Sequence, residues 1–351
     1  MYTGNIYRAK DMARWTRFET MRFVGYIIIW VALYYFVDLN WLRIPWTPMA
    51  LIGTAVAFVI GFQNNAVYGR IWEARKIWGG IVNTSRTFGV YVQAMLSDEH
   101  MHHAANSEEI KNEMTVLTYR HIAWMTALRH AMRAERSWEV TSKQRSNTDW
   151  GVLPPEKKSD LKEDLKPYIS DFELEYVMSK DNKQTAILYL QSGHLKKLKE
   201  QGMIWEFSFL ELEGVIKDLF TLQGQSERIK NFPDPRQYAT LNHFFMWILL
   251  FILPLALVPQ FADIGSEISQ VKPFWGNLFV WLSVPMYVAV AWIFHTMERI
   301  GRTGENPFEG TANDVPISAI SRGIENDLRQ NLGDSKEDIP GPFPMEYDVQ
   351  F

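Results

Sequence analysis

The stretch FVIGFQNNAVYGRIWEARKIWGG, residues 58 to 80, changes from an apolar sequence to a charged one without an intervening proline. Its first half has the composition of a membrane span, whereas its second half has the pattern of an amphipathic helix in water. Most spanning helices end near the bilayer surface, so this continuation is unusual. A helix that leaves the membrane and stays ordered needs other helices to pack on. The stretch therefore predicts a membrane bundle joined to an aqueous helical domain.

Four windows without a charged residue predict four membrane-spanning helices. The last three exceed the roughly 20 residues that a helix needs to cross a bilayer, and the first is shorter. Arg22, just before the first window, can extend that span because its long side chain reaches back to the interface. The windows are Phe23–Val37, Ile44–Gly69, Gln237–Ala262 and Pro273–Met297.

Prolines mark positions where the spans are expected to bend or end. Pro254 and Pro259 are expected to kink or shorten the third span, and Pro285 the fourth. No convincing strand alternation is visible between these windows, so the chain is predicted to be all-helical.

Lysine and arginine flank the same side of every predicted span, and the two loops on the opposite side hold one basic residue each. This asymmetry predicts that both termini and the long middle segment face the cytoplasm. The predicted domains are a cytosolic N-terminal arm (1–22), the first two spans (23–67), a cytosolic helical domain (68–236), the last two spans (237–300) and a cytosolic C-terminal segment with a tail (301–351).

Composition excludes several classes of protein. The 351 residues include no cysteine, which excludes disulfides, thiolate metal sites and cysteine nucleophiles. The net charge of −4 argues against a general nucleic-acid binder, because such proteins are usually basic. No phosphate loop, nucleophile elbow or zinc-protease helix is present, so no enzyme is predicted. The segment HMHH at residues 100–103 is polar, and clustered histidines there are more often solvated than metal-bound, so no metal site is predicted.

Thr54, Phe58 and Phe62 are spaced by four residues and therefore lie on one face of the second span. Asn64 and Asn65 follow directly. One interpretation is that this face packs against neighbouring helices. The other is that it lines a pore, with the charged continuation lining the aqueous part of the same conduit. Spacing alone leaves both interpretations open.

Three segments resemble the bestrophin family of ion channels, in its bacterial branch. They are GFQNNAVYGRIWEARKIWGGIVNTSR (61–86), ERIKNFPDPRQY (227–238) and ENPFEGTANDVPISAISRGIENDL (305–328), and they occur in the order typical of the family. The resemblance extends from about Ala13 to Leu328 and is much weaker through Arg136–Gln201.

The resemblance implies an all-α homopentamer in a lipid bilayer, with four spans per subunit, a large cytosolic helical domain and one central pore surrounded by the second spans. It implies passive conduction of small monovalent ions across what is expected to be a bacterial inner membrane. By position it places the pore neck at Thr54, Phe58 and Phe62, with Asn64 and Asn65 below the neck.

At the inner end of the conduit the resemblance implies a second constriction at Phe207, with Glu206, Glu211 and Glu213 as alternatives. Phenyl edges are weakly positive, so an apolar phenylalanine neck favours anions such as chloride and can gate the pore by excluding water. A ring of carboxylates at the inner end would instead favour cations. A cation-selective channel of the same fold, and a non-conducting scaffold or carrier, remain the alternatives.

Animal bestrophins have an acidic run after the Asn-Pro-Phe motif that follows the fourth span, and this run forms a calcium clasp. Here only Glu309 and Asp314 supply carboxylates in that region, which is too few for a calcium site. The sequence therefore predicts no calcium cofactor, and Asp314 is expected to cap a helix or form a salt bridge.

Three charged residues of the first matched segment are expected to be structural. Glu73, Arg75 and Lys76 are predicted to form ion pairs between helices rather than to contact ions. The tail after Gly333 is open to three interpretations: a plug in the vestibule, an arm around a neighbouring subunit, or a loosely ordered terminus.

Overall fold

The computed structural model describes residues 1–37, 39–99, 107–139, 153–233 and 235–351. Over these ranges the regular structure is helical, with isolated backbone bridges and no β-strand, which confirms the all-helical prediction. The histidine cluster at residues 100–103 lies outside the described residues. The α-helices are α1 Ala9–Val37, α2 Trp46–Met95, α3 Ser107–Arg133, α4 Leu161–Leu165, α5 Asp171–Met178, α6 Lys183–Glu200, α7 Glu206–Asn231, α8 Arg236–Ser269, α9 Pro273–Phe279, α10 Ser283–Thr303 and α11 Ile317–Leu332.

Four helical stretches in the described residues are long and apolar enough to cross a membrane, as predicted. They are α1, α2, α8 and the stretch Pro273–Thr303, which contains α9 and α10. α1 begins well before the first charge-free window, so the predicted domain boundary at residue 22 falls within one continuous helix. α2 has 50 residues and is about 75 Å long at 1.5 Å per residue. It continues unbroken from the second span into the aqueous half, as the opening stretch predicts.

The two prolines were expected to kink or shorten the third span, and they do not shorten it, because α8 continues through Pro254 and Pro259 for 34 residues. A proline inside a helix frees the carbonyl of the residue four positions before it. For Pro254 this is the carbonyl of Leu250, which accepts a hydrogen bond from Tyr287 Oη of α10 at 3.0 Å. The helix therefore needs no break there, because a neighbouring span satisfies the freed group.

The second proline of α8 is compensated from the segment that precedes α2. Pro259 frees the carbonyl of Leu255, which accepts a hydrogen bond from Ile44 N at 3.1 Å. Pro285, in the fourth span, removes no backbone hydrogen bond from the helix. It lies in the first turn of α10, after a 3₁₀ turn, where a backbone N–H has no helical partner to lose.

The molecule has two hydrophobic cores, and α2 contributes to both. The membrane core lies between α1, the first half of α2, α8 and α10, and it includes the fully buried Ile27 and Tyr287. The aqueous core lies between the second half of α2 and the helices α3 to α7 and α11, and it includes Trp78, Phe88 and Trp124. One helix is thus packed in two different environments.

The C-terminal tail packs on its own chain. The ring of Phe343 lies beneath two guanidinium groups, 5.1 Å from Arg129 and 4.4 Å from Arg322. Phe351 is buried, and its carbonyl accepts a hydrogen bond from Ala319 N at 2.7 Å. The tail is therefore not a loosely ordered terminus, because aromatic contacts hold it at Phe343 and a backbone hydrogen bond holds it at Phe351.

Candidate functional site

One face of the membrane half of α2 is left uncovered by the subunit. Phe58 is 64% exposed and Phe62 is 72% exposed, and Thr54 on the same face is exposed as well. Val56 and Ile60, on the opposite face, are buried in the membrane core. The aromatic stripe therefore does not pack inside its own subunit, and it is available to a pore, to lipid or to another subunit.

The two asparagines that follow Phe62 point in different directions. Asn65 is exposed on the uncovered face of α2. Asn64 is half-buried, and its side-chain nitrogen donates a hydrogen bond to the carbonyl of Met297 in α10 at 3.2 Å. Only Asn65 therefore shares the face of Phe58 and Phe62, whereas Asn64 is directed towards a neighbouring helix.

Polar contacts fix the rotation of α2 about its own axis. Gln63 is buried, and its side-chain oxygen accepts a hydrogen bond from the amide of Asn242 in α8 at 2.9 Å. Gly301 of α10 approaches so closely that a Cβ there would lie 2.7 Å from Oδ1 of Asn64. These contacts hold one side of α2 against α8 and α10, and they direct the phenylalanine stripe away from both helices.

α7 packs antiparallel along the aqueous half of α2. Near the end of α7, Arg228 Nη2 lies 2.6 Å from Glu73 Oε1, so the expected ion pair between helices forms at Glu73. Just before the start of α7, the carbonyl of Met203 accepts a hydrogen bond from Ser97 N at 3.1 Å. The start of α7 is therefore level with the far end of α2, about 50 Å from Phe62 by helix rise.

The four candidates for the inner constriction lie at this far end but differ in their surroundings. Glu206 forms a 2.7 Å ion pair with Lys199. Phe207 is 62% exposed, and Glu211, one turn further along α7, is exposed on the same face. Glu213 is half-buried on another face. The structure thus brings Phe207 and Glu211 together and separates them from the other two carboxylates.

Asp314 closes the loop that follows α10. Its carboxylate accepts hydrogen bonds from the backbone N of Gly310 at 2.6 Å, and from the backbone N and the hydroxyl of Thr311 at 2.9 and 2.6 Å. Asp314 was expected to cap a helix or to form a salt bridge; α11 begins outside the loop, and no described cation forms a salt bridge with Asp314. Glu309 accepts a hydrogen bond from Asn306 Nδ2 at 2.7 Å. Over the described residues, no three side chains of the metal-binding types come together.

Among the described residues, the ion pairs expected at Arg75 and Lys76 do not form, and Lys76 lies on the uncovered face of α2. Lys76 was expected to form an ion pair between helices, yet within the described part of the chain no carboxylate pairs with it, and its side chain is exposed. The available signal is its position 18 residues after Phe58, which is five whole helical turns.

A model of the family described as "Bacterial/Fungal Bestrophin protein" matches residues 17–330 of this chain. Curated relatives include the voltage-dependent anion channel-forming protein YneE of Escherichia coli, which is 25% identical over 283 residues, 81% of this chain and 75% of that protein. Another is the voltage-dependent anion channel-forming protein RSc3414 of Ralstonia nicotianae, which is 26% identical over 302 residues, 85% of this chain and 82% of that protein. Both are described as channel-forming proteins rather than as enzymes, in agreement with the prediction that this chain is not an enzyme.

A solved structure has the same fold. The crystal structure of a bacterial bestrophin homolog from Klebsiella pneumoniae superimposes with a TM-score of 0.70 at 21% sequence identity. The alignment covers 91% of this chain and 99% of that one. The arrangement of helices described above is therefore the arrangement of that protein.

Proposed function

Because this chain belongs to the bacterial and fungal bestrophin family, we propose that it is an integral membrane channel that conducts small monovalent ions passively, with chloride favoured. The observation that supports this most directly is the uncovered face of α2. The exposed face that carries Phe58 and Phe62 in the membrane half continues along α2 through exposed polar residues such as Lys76 and Asn83 in the aqueous half, as one continuous conduit would require. The names of the curated relatives, which describe anion channel-forming proteins, favour anions.

The proposed channel is a homopentamer, because one subunit cannot enclose a pore. Closed symmetric rings are the common solution for identical subunits. Each subunit would contribute Thr54, Phe58 and Phe62 to the neck and Asn65 to the wall below it. Asn64 is not included in this wall, because its side chain is directed towards α10 and donates a hydrogen bond there.

The proposed gate is the ring of phenylalanine side chains at the neck. An ion that enters an apolar ring loses hydration without gaining a charged partner, which is unfavourable until the ring widens or takes up water. The edge of each phenyl ring is weakly positive, so edges that point inward are less unfavourable to an anion than to a cation.

The proposed topology follows the distribution of basic residues. Both termini and the helical domain at 68–236 would face the cytoplasm, and the membrane would be the bacterial inner membrane. Conduction is proposed to need no calcium. Glu309 and Asp314 already accept hydrogen bonds from protein groups.

Reversal potentials under a salt gradient in a planar bilayer test this proposal. We expect the wild type to reverse near the chloride potential, and Phe58→Ala to move the reversal potential because a ring of the neck is lost. Phe245→Ala is a matched control, since Phe245 is an exposed phenylalanine on a different span, α8. A reversal potential that is the same in all three proteins would reject Phe58 as a residue of the neck.

A cation-selective channel is the second candidate, because Glu211 shares the exposed face of Phe207. Reversal near the cation potential, abolished by Glu211→Gln, would support it over the anion channel.

Absence of flux from liposomes of purified pentamer would favour a scaffold instead. Steep activation of current by added calcium would contradict the proposed lack of a calcium site.

A further inference from the structure

One charged side chain lies on the same face of α2 as the neck. Lys76 follows Phe58 by 18 residues, which is five complete turns of an α-helix and about 27 Å of rise. Its side chain therefore points in nearly the same direction as that of Phe58, but in the aqueous half. By contrast, Arg75 is rotated from Lys76 by about 100°, although it is also exposed.

The rest of this face is uncharged. Between the neck and the end of α2, several other exposed residues point within about 20° of the direction of Phe58. None of these side chains can ionise. They are Asn65, Gly69, Asn83, Thr87 and Ala94. Between the neck and the end of α2, Lys76 is thus the one charge that the stripe presents.

The helices on either side of the stripe leave Lys76 uncovered. α7 covers one flank, where a Cβ on Gly80 would lie 2.8 Å from Leu222. α11 covers the other flank, where Arg86 pairs with Asp327 at 2.6 Å. Lys76 lies between these contacts.

The carboxylate that α2 offers near Lys76 is already engaged. Glu73, one turn earlier, forms its ion pair with Arg228. No described group, Glu73 included, forms an ion pair or a hydrogen bond with Lys76. Over the described residues, its ammonium is therefore exposed without a compensating negative charge.

We propose that Lys76 is an anion-binding and specificity-determining residue, five copies of which form a ring of ammonium groups in the aqueous part of the conduit. This inference rests on the proposed function, because it requires the fivefold assembly around α2. Rings of lysine or arginine are the arrangement that selects anions in pores, and a confined wall of one charge sign concentrates counterions. The ligands are small inorganic anions such as chloride or bromide.

The position of the ring determines how it acts. Lys76 lies about 21 Å beyond Phe62 along α2, and Glu211 lies near the far end of that helix. The Debye length at 0.15 M salt is about 8 Å, so each ring acts mainly on ions at its own level. The lysine ring therefore supplies anions to the neck, and its effect decreases as salt concentration rises.

The absence of native cysteine allows a direct test that needs no current. Asn83→Cys introduces a single thiol two turns beyond Lys76 on the same face. The measurement is the ratio of labelling rates of the purified pentamer by an anionic (sulfonatoethyl) and a cationic (trimethylammonioethyl) methanethiosulfonate. Using the ratio cancels changes in the accessibility of the thiol.

In 50 mM salt we expect Lys76→Gln to lower this ratio by about threefold to tenfold, and Lys76→Arg to preserve it. Arg75→Gln removes the adjacent exposed charge from a different face and serves as the matched control, with little change expected. An equal ratio in the Lys76 and Lys76→Gln proteins overturns the inference, as does a loss of similar size in Arg75→Gln.

Conduction separates this inference from the function on which it rests. If the wild type conducts, Lys76→Glu should shift the reversal potential towards the cation potential, more strongly in 50 mM than in 1 M salt. Current with an unchanged reversal potential and an unchanged labelling ratio rejects the role of Lys76 and keeps the channel. A pentamer that carries no current but loses the labelling ratio in Lys76→Gln rejects the channel and keeps the anion site.

Discussion

The membrane half and the aqueous half of this molecule differ in what they bury and in what they expose. Around the membrane core, large apolar side chains such as Ile29, Phe36 and Phe251 are exposed. Around the aqueous core, a cluster of charged side chains is buried, in which Glu156 has contacts with both Arg129 and Arg133. α2 passes through both halves, so the difference lies in the surroundings of the helix rather than in its backbone.

The comparison teaches that the solvent decides which contacts stabilise each half. Lipid chains are as apolar as leucine, so burying an apolar side chain within the membrane gains little, and close packing and hydrogen bonds hold the spans together. In water, apolar burial contributes about 25 cal/mol per Å², and a charge can be buried there only with partners. The predictions below test this difference between the halves.

The largest effect is expected from Glu156→Ala in the aqueous half. The Glu156 carboxylate lies 2.5 Å from Arg129 Nη1 and accepts a hydrogen bond from Ser318 Oγ at 2.7 Å. Its loss leaves buried guanidinium groups unpaired, which should lower the free energy of unfolding by about 3–5 kcal/mol. Denaturant titration in detergent measures this change.

A surface pair is the control for that variant. Glu163 lies 2.6 Å from Lys166, but both side chains are largely exposed. Glu163→Ala should therefore cost less than about 1 kcal/mol. Similar losses in the two variants would mean that burial does not determine the strength of ion pairs in the aqueous half.

Acid should destabilise the aqueous half through His121. The imidazole is buried against Phe88 and Trp124, and neither ring nitrogen has a hydrogen-bond partner among the described residues. Burial lowers the pKa of His121 from 6.5 to about 3. As the pH falls, the unfolded chain therefore binds the proton first. The free energy of unfolding keeps its full value above pH 6.5 and decreases by about 1.4 kcal/mol for each pH unit between pH 6.5 and pH 3.

His121→Phe removes this contribution. Unfolding free energies measured at several pH values between 7.5 and 4 should show a shallower acid slope in the variant. The same slope in both proteins would show that His121 is already protonated in the folded state, or that other groups dominate the acid response.

Gly276→Ala should separate two helices of the membrane half. A Cβ at Gly276 would lie 2.4 Å from the backbone N of Ser269 and 2.5 Å from the backbone O of Gly265, so α8 and α9 must move apart. We expect a loss of about 1–3 kcal/mol, measured by the same denaturant titration. Gly25→Ala in α1 is the matched control, because nothing lies within 4 Å of its Cβ position. A loss in Gly25→Ala as large as in Gly276→Ala would contradict close packing as the cause.

The smallest effect is expected from Ile29→Ala on the exposed surface of α1. Ile29 is 59% exposed, and an apolar side chain in contact with lipid has an apolar solvent whether or not the helices are packed. The change in unfolding free energy should be below about 1 kcal/mol, whereas Leu128→Ala in the aqueous core should cost about 2–5 kcal/mol. A loss above 2 kcal/mol for Ile29→Ala would show that α1 is packed against another subunit.

The predictions from sequence succeeded where the signal is local. The four spans and the unbroken α2 follow from the order of apolar and charged residues, because both depend on which residues are near one another along one helix. The length of α8 could not be predicted in this way, because the carbonyl that Pro254 frees is satisfied by Tyr287, more than thirty residues away. The predictions for the neck and the inner constriction remain predictions, although the structure brings Phe207 and Glu211 to one face and separates Asn64 from Asn65.

The sequence by itself determined that the chain is helical, that four of its helical stretches are long and apolar enough to cross a membrane, and that one of them continues unbroken into a charged segment. Hydrophobic periodicity and length determine these features without reference to any partner. Only the tertiary structure decided which face of α2 is uncovered and that Lys76 lies on it without an ion pair. The direction of a helix face depends on contacts with distant residues, here Asn242 and Arg228, and no local pattern in the sequence specifies those contacts.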